Sequence, residues 1–128
     1  SHAAIFSVIA VGGAAGAIAR YGLSLWGASL FPRFAPAGTL IANVAGCLLI
    51  GAVMVLAQRG SISELTRQLV VTGFLGALTT FSTFGFQTVE LARERHYGIA
   101  AANVLLNGVL GLAAVLLGMW LATRFGGE

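Results

Sequence analysis

Charge is what this sequence has least of. It contains no lysine and no aspartate, and only 9% of its 128 residues are charged. Water-soluble globular domains carry about 25% charged residues. A chain that is 58% hydrophobic, with a mean hydropathy of +0.93, cannot cover its surface in water. The bilayer is therefore its expected solvent. A single cysteine, Cys47, excludes an intrachain disulfide and a zinc framework, and reads as a small buried apolar residue. Only two prolines occur, both in "LFPRFAP" (30–36). Histidine is limited to His2 and His96, and no nucleophile–base pair or metal cluster can be assembled. An enzyme is not expected.

What is present is long apolar runs. Four segments, about 3–26, 38–57, 65–91 and 99–123, each reach the ~20 residues a membrane span needs. The expectation is an all-α membrane protein, residues 1–128 forming one integral membrane domain with both termini on one side. The connections "LFPRFAP", "QRGSISE" and "RERHYG" are short. "SISE" contains a capping box, with Ser61 or Ser63 as candidate N-cap of the third helix. The opening Ser1-His2, without an initiator Met, reads as a cleavage scar. The first apolar stretch lacks the basic region and cleavage site of a signal peptide.

The basic residues are seven arginines. A net charge of +3 can mark a nucleic-acid binder, but these arginines flank apolar segments and read as membrane-end anchors. Arg59, Arg67 and Arg124 fall on the side of the termini and second loop. Arg33, Arg93 and Arg95 fall on the other, and Arg20 barely tips the balance. The chain thus carries no positive-inside signal. Insertion in both orientations, and an antiparallel homodimer, is the expectation. Small residues recur in the first, second and fourth spans. Gly12, Gly16 and Arg20 share one face at four-residue spacing, which suits close helix packing.

Polar residues sit at membrane depth. Thr39, Asn43 and Cys47 form one stripe of the second helix; Asn103, Asn107 and Gly111 form a similar one on the fourth. An amide facing lipid is costly, so these must face protein or water. Either they tie helices together or they line a narrow polar path. The densest cluster is "GALTTFSTFGF" (76–86). Gly73 and Gly76 loosen the helix, and Thr79, Thr80, Ser82 and Thr83 favour side-chain bonds to the backbone. A break is expected between Gly76 and Ser82. Freed carbonyls would suit a cation; freed N–H groups and hydroxyls would suit an anion. Phe81 and Phe84, three apart, would stack on one face and could turn their positive ring edges toward an anion.

"GGAAGAIARY" (12–21), "GTLIANVAG" (38–46) and above all "GFLGALTTFSTF" (73–84) resemble the Fluc fluoride channels, the CrcB family. The resemblance covers all four spans in order. It implies a passive fluoride channel of the bacterial inner membrane that exports the ion from the cytoplasm and lowers its toxicity. It also implies an antiparallel dual-topology homodimer with two pores. Phe81 and Phe84 match the rings bordering the anion path, and Asn43 matches the pore amide. Arg20 matches the vestibule arginine. The backbone carbonyls of Gly76 and Thr79 match those that hold a structural sodium ion on the dimer axis. Thr80, Ser82 and Thr83 fall in the hydroxyl-rich segment beside the path. Two departures stand out. Gln87 replaces a frequent Glu, and Asn103 and Asn107 stand where Tyr and Ser are common, so a lining role there survives only in outline.

A small proton-coupled multidrug transporter is also short, four-spanning and often dual-topology. It needs a carboxylate within the membrane. The first, second and fourth spans have none, and Glu90 lies at the far end of the third. A purely structural subunit would explain the apolar spans but not the clustered polar centre.

Overall fold

The computed structural model describes residues 1–126 and is all-helical. Helix α1 spans His2–Leu30 and α2 spans Ala37–Gln58. The third crossing is composite: α3 (Glu64–Arg67), a π-helical stretch (Gln68–Leu75), α4 (Gly76–Leu78) and α5 (Phe81–Arg93). Helix α6 spans Tyr97–Phe125. Four helical stretches, His2–Leu30, Ala37–Gln58, Glu64–Arg93 and Tyr97–Phe125, are long and apolar enough to cross a membrane. The protein is a multi-pass membrane protein. Each crossing extends a few residues beyond the apolar run that marks it, because helical backbone continues into the polar flanks until a cap stops it.

The caps are local. Ser63 is the N-cap of α3 and accepts from the Thr66 N–H at 3.1 Å. Ser61 does not cap, and Glu64 pairs with Arg67 at 2.7 Å instead of closing a box. Helix α2 ends in a paired reverse bond, Ser61 N–H to the Leu56 carbonyl and Gly60 N–H to Ala57, with Gly60 at φ 74°. Helix α5 ends the same way: His96 N–H bonds Leu91 and Arg95 N–H bonds Ala92. Here Arg95, at φ 65°, holds the left-handed position that usually falls to glycine.

Packing is inverted relative to a water-soluble protein. The buried apolar residues are mostly alanines, among them Ala37, Ala42, Ala100, Ala114 and Ala122, while Phe6, Ile18, Leu112 and Leu116 point outward. Small residues inside let backbones approach; large ones outside meet lipid or protein. Helices α2 and α6 pack along their length and run parallel. Asn43 meets Asn107, Cys47 faces Gly111, and Gly51 lies on the Val115 carbonyl, each pair one turn further along. The two polar stripes therefore face each other. A Cβ on Gly51 or Gly118 would strike the carbonyl oxygen of Val115 or Leu48. Helix α1 packs parallel to the third crossing. Gly12 lies against the Leu69 carbonyl and Gly16 against that of Phe74. The four-residue glycine spacing on α1 thus serves intramolecular packing.

Candidate functional site

The site forms where α4 stops. Thr79 (φ −84°, ψ 151°) and Thr80 (φ −148°, ψ 119°) are extended, so two residues separate α4 from α5. Threonine tolerates this because its hydroxyl can replace backbone partners. Thr79 donates both its N–H (3.1 Å) and its hydroxyl (2.9 Å) to the Leu75 carbonyl. The Thr80 hydroxyl caps α5, accepting from the Thr83 N–H at 3.1 Å. Ser82 Oγ and Thr83 Oγ1 lie 3.2 and 3.3 Å from the same oxygen. The absent side chain of Gly46 leaves room for the Thr79 methyl, so α2 reaches the extended segment.

Two side chains from other helices take up backbone groups that a continuous helix would have paired. The Asn43 amide clamps Thr80. Its Oδ1 accepts the Thr80 N–H at 2.8 Å, and its Nδ2 donates to the Thr80 carbonyl at 3.3 Å. From α1, Arg20 Nε donates to the Ala77 carbonyl at 3.1 Å. In an unbroken helix that carbonyl would bond the N–H of Phe81.

The amide clamp continues into a relay. Asn43 Nδ2 donates to Asn107 Oδ1 at 2.9 Å. Asn107 Nδ2 donates to the Asn103 carbonyl (2.9 Å) and to Asn103 Oδ1 (3.0 Å). Asn103 Nδ2 donates to the Thr88 hydroxyl at 2.9 Å, and that hydroxyl donates to the Phe84 carbonyl at 2.8 Å. Asn103 is 0% exposed.

A cavity of about 550 Å³ opens beside the clamp. Asn43, Asn107, Thr79, Thr80, Phe81 and Phe84 form the part of its wall that carries polar or aromatic chemistry. The Phe81 and Phe84 rings are 5.5 Å apart between centroids and inclined at 50°. Phe81 is 83% exposed. Among the described residues the wall thus offers amide and hydroxyl groups and two phenyl rings, and no carboxylate.

A sequence profile described as CrcB-like protein, Camphor Resistance (CrcB), matches residues 7–119. The chain belongs to the CrcB family. The match contains the whole clamp, the relay and both rings. The chain is 48% identical over 113 residues to the fluoride-specific ion channel FluC of Salinibacter ruber, covering 86% of this chain and 83% of that protein. It is 43% identical over 120 residues to FluC of Chloroflexus aurantiacus, covering 93% and 95% of the two chains. It is 46% identical over 113 residues to FluC of Shewanella amazonensis, covering 88% and 91%.

Within this CrcB fold the residues singled out from sequence gather unevenly. Asn43, Thr80, Phe81, Phe84 and Asn107 meet around the cavity. Gly76 and Thr79 also border it. Ser82 and Thr83 join through the Thr80 hydroxyl, and Arg20 through Ala77. Asn103 lies one turn before Asn107 and is not part of the wall. Thr88 was not singled out, yet it ends the relay. The signal was available: Thr88 and Asn103 are equidistant from the turn at Arg95–His96, so an antiparallel hairpin brings them level. Gln87 carries the one buried side-chain oxygen, Oε1, without a protein partner among the described residues.

Proposed function

We propose that the protein is a passive, fluoride-selective channel of the bacterial plasma membrane. The observation that carries this reading is the amide clamp at an interrupted span, set in a cavity that also holds two phenyl rings. An anion entering a membrane must exchange its water for donors. Fixed cations would bind it too tightly to release, whereas several weak neutral donors let it enter and leave. Asn43 Nδ2 is such a donor. Its bond to the Thr80 carbonyl is the longest of its three, at 3.3 Å, and is the one a passing anion can replace. The hydroxyls of Thr80, Ser82 and Thr83 supply others, and Phe81 and Phe84 add positive ring edges. Asn107 extends the polar path on α6, with Asn103 behind it, and Arg20 sits at its vestibule. The relatives' name, fluoride-specific ion channel, supports fluoride as the ion.

The functional unit is an antiparallel homodimer. Phe81 is 83% exposed and Ser82 is exposed beside it. Hydroxyls and extended backbone at mid-span cannot face lipid without cost. A second copy, inserted the other way as the balanced arginines allow, covers this face and completes the path with its own rings. The same two-fold arrangement brings two Gly76 and two Thr79 carbonyls together. Their chemistry fits sodium: the donors are neutral, hard oxygens, and those of Gly76 and its turn lie at a helix C-terminus, where the dipole favours a cation. A sodium ion bound there would be structural, bracing the interrupted spans.

A proton-coupled transporter is not favoured. Glu90 sits near the end of α5 and is paired with Arg93 at 2.9 Å. The test is efflux of fluoride against chloride from liposomes containing the purified protein. Fluoride efflux with chloride retained is expected; equal or absent rates would overturn the reading.

A further inference from the structure

We propose that Asn103 is a positioning residue of the fluoride path. It acts without meeting the ion, by holding the Asn107 amide with its oxygen toward Asn43. The inference rests on the channel reading above. An asparagine amide has two N–H hydrogens and one acceptor oxygen, and either end can point either way. For Asn107 both hydrogens are taken, by the main-chain and side-chain oxygens of Asn103 at 2.9 and 3.0 Å. Only Oδ1 is left to face Asn43, whose Nδ2 it receives at 2.9 Å.

Asn103 is itself held one way round. Its Nδ2 donates to the Thr88 hydroxyl, whose hydrogen is committed to the Phe84 carbonyl. Reversing Asn103 would set its oxygen against the oxygen of Thr88 and its N–H groups against those of Asn107. At 0% exposure no solvent relieves that clash. The chain of donors therefore runs in one direction, Asn43 to Asn107 to Asn103 to Thr88 to the backbone of Phe84. It joins the pore amide to the turn that carries a pore ring. Neither Asn103 nor Thr88 borders the cavity. If Asn107 turned over, its N–H groups would face the Asn43 N–H and push the clamp off Thr80.

The test is fluoride efflux from liposomes holding the full chain, with gel filtration of each variant. Asn103→Leu keeps the bulk and removes the amide. Thr88→Val keeps the shape and removes the hydroxyl; Thr88→Ser restores it. Efflux is expected to fall about tenfold or more in Asn103→Leu and Thr88→Val, each of which removes two side-chain hydrogen bonds of the relay. Thr88→Ser should return to the parent rate. The double variant should be no slower than Asn103→Leu, because both act through one chain. Parent rates in Asn103→Leu and Thr88→Val would overturn the positioning role while leaving the channel reading intact. Additive losses, or a Thr88→Ser as slow as Thr88→Val, would also overturn it. A parent protein that passes no fluoride would overturn both.

Discussion

Asn43→Asp separates the shape of the clamp from its charge. The replacement is nearly isosteric and keeps the oxygen that accepts the Thr80 N–H at 2.8 Å. The fold should survive, since this is the shortest of the three bonds and holds the extended segment to α2. What changes is the other end. An N–H that donates to the Thr80 carbonyl and to Asn107 Oδ1 becomes a second carboxylate oxygen facing two acceptors. An anion in contact with that carboxylate at about 4 Å is repelled by about 4 kcal/mol at the effective dielectric of ~20 that suits protein sites. At 1.36 kcal/mol per decade that is about a thousandfold in rate. The carboxylate blocks the path while it is ionised, and the protonated acid can again donate to Asn107 Oδ1. Fluoride efflux from liposomes measured across pH, with gel filtration as the folding check, tests this. A folded Asn43→Asp channel passing fluoride at the parent rate at alkaline pH would refute the placement of Asn43 in the path.

Phe81→Ile and Phe84→Ile keep apolar bulk but remove the ring quadrupole; fluoride efflux should fall about tenfold or more while the gel-filtration profile is unchanged. A tag on either terminus should be labelled from both sides of the membrane in cells, and labelling from one side alone would sink dual insertion. Gly118→Val must drive α2 and α6 apart at the Leu48 carbonyl, and should cost about 1–3 kcal/mol, read as a lower unfolding midpoint in detergent. An unchanged midpoint would mean that the close approach carries no stability.

The four crossings were legible because lipid imposes one simple demand, about 20 apolar residues per span. The polar stripes were legible as stripes because four-residue spacing puts Asn43 and Cys47, or Asn103 and Gly111, on one helix face. That the stripes meet is a property of tertiary register, which a single sequence does not display. The threonine-rich segment told where ordinary helix was least comfortable, and Thr79 and Thr80 are the residues that leave it. The π-helical stretch at Gln68–Leu75 had no such mark; its wider turn lies where the Leu69 and Phe74 carbonyls rest on the α1 glycines. Partner choice at the α3 cap was misjudged for a related reason. Glu64 had three groups within reach, and the Arg67 guanidinium with Gln68 outweighed the backbone.

The central claim is that neutral donors at an interrupted span pass fluoride. Its most direct measurement is ion efflux from liposomes reconstituted with the purified protein, one set loaded with fluoride and one with chloride, under an identical potassium gradient. The account predicts rapid release of fluoride and retention of chloride. Release of both ions at similar rates, or of neither, would contradict it.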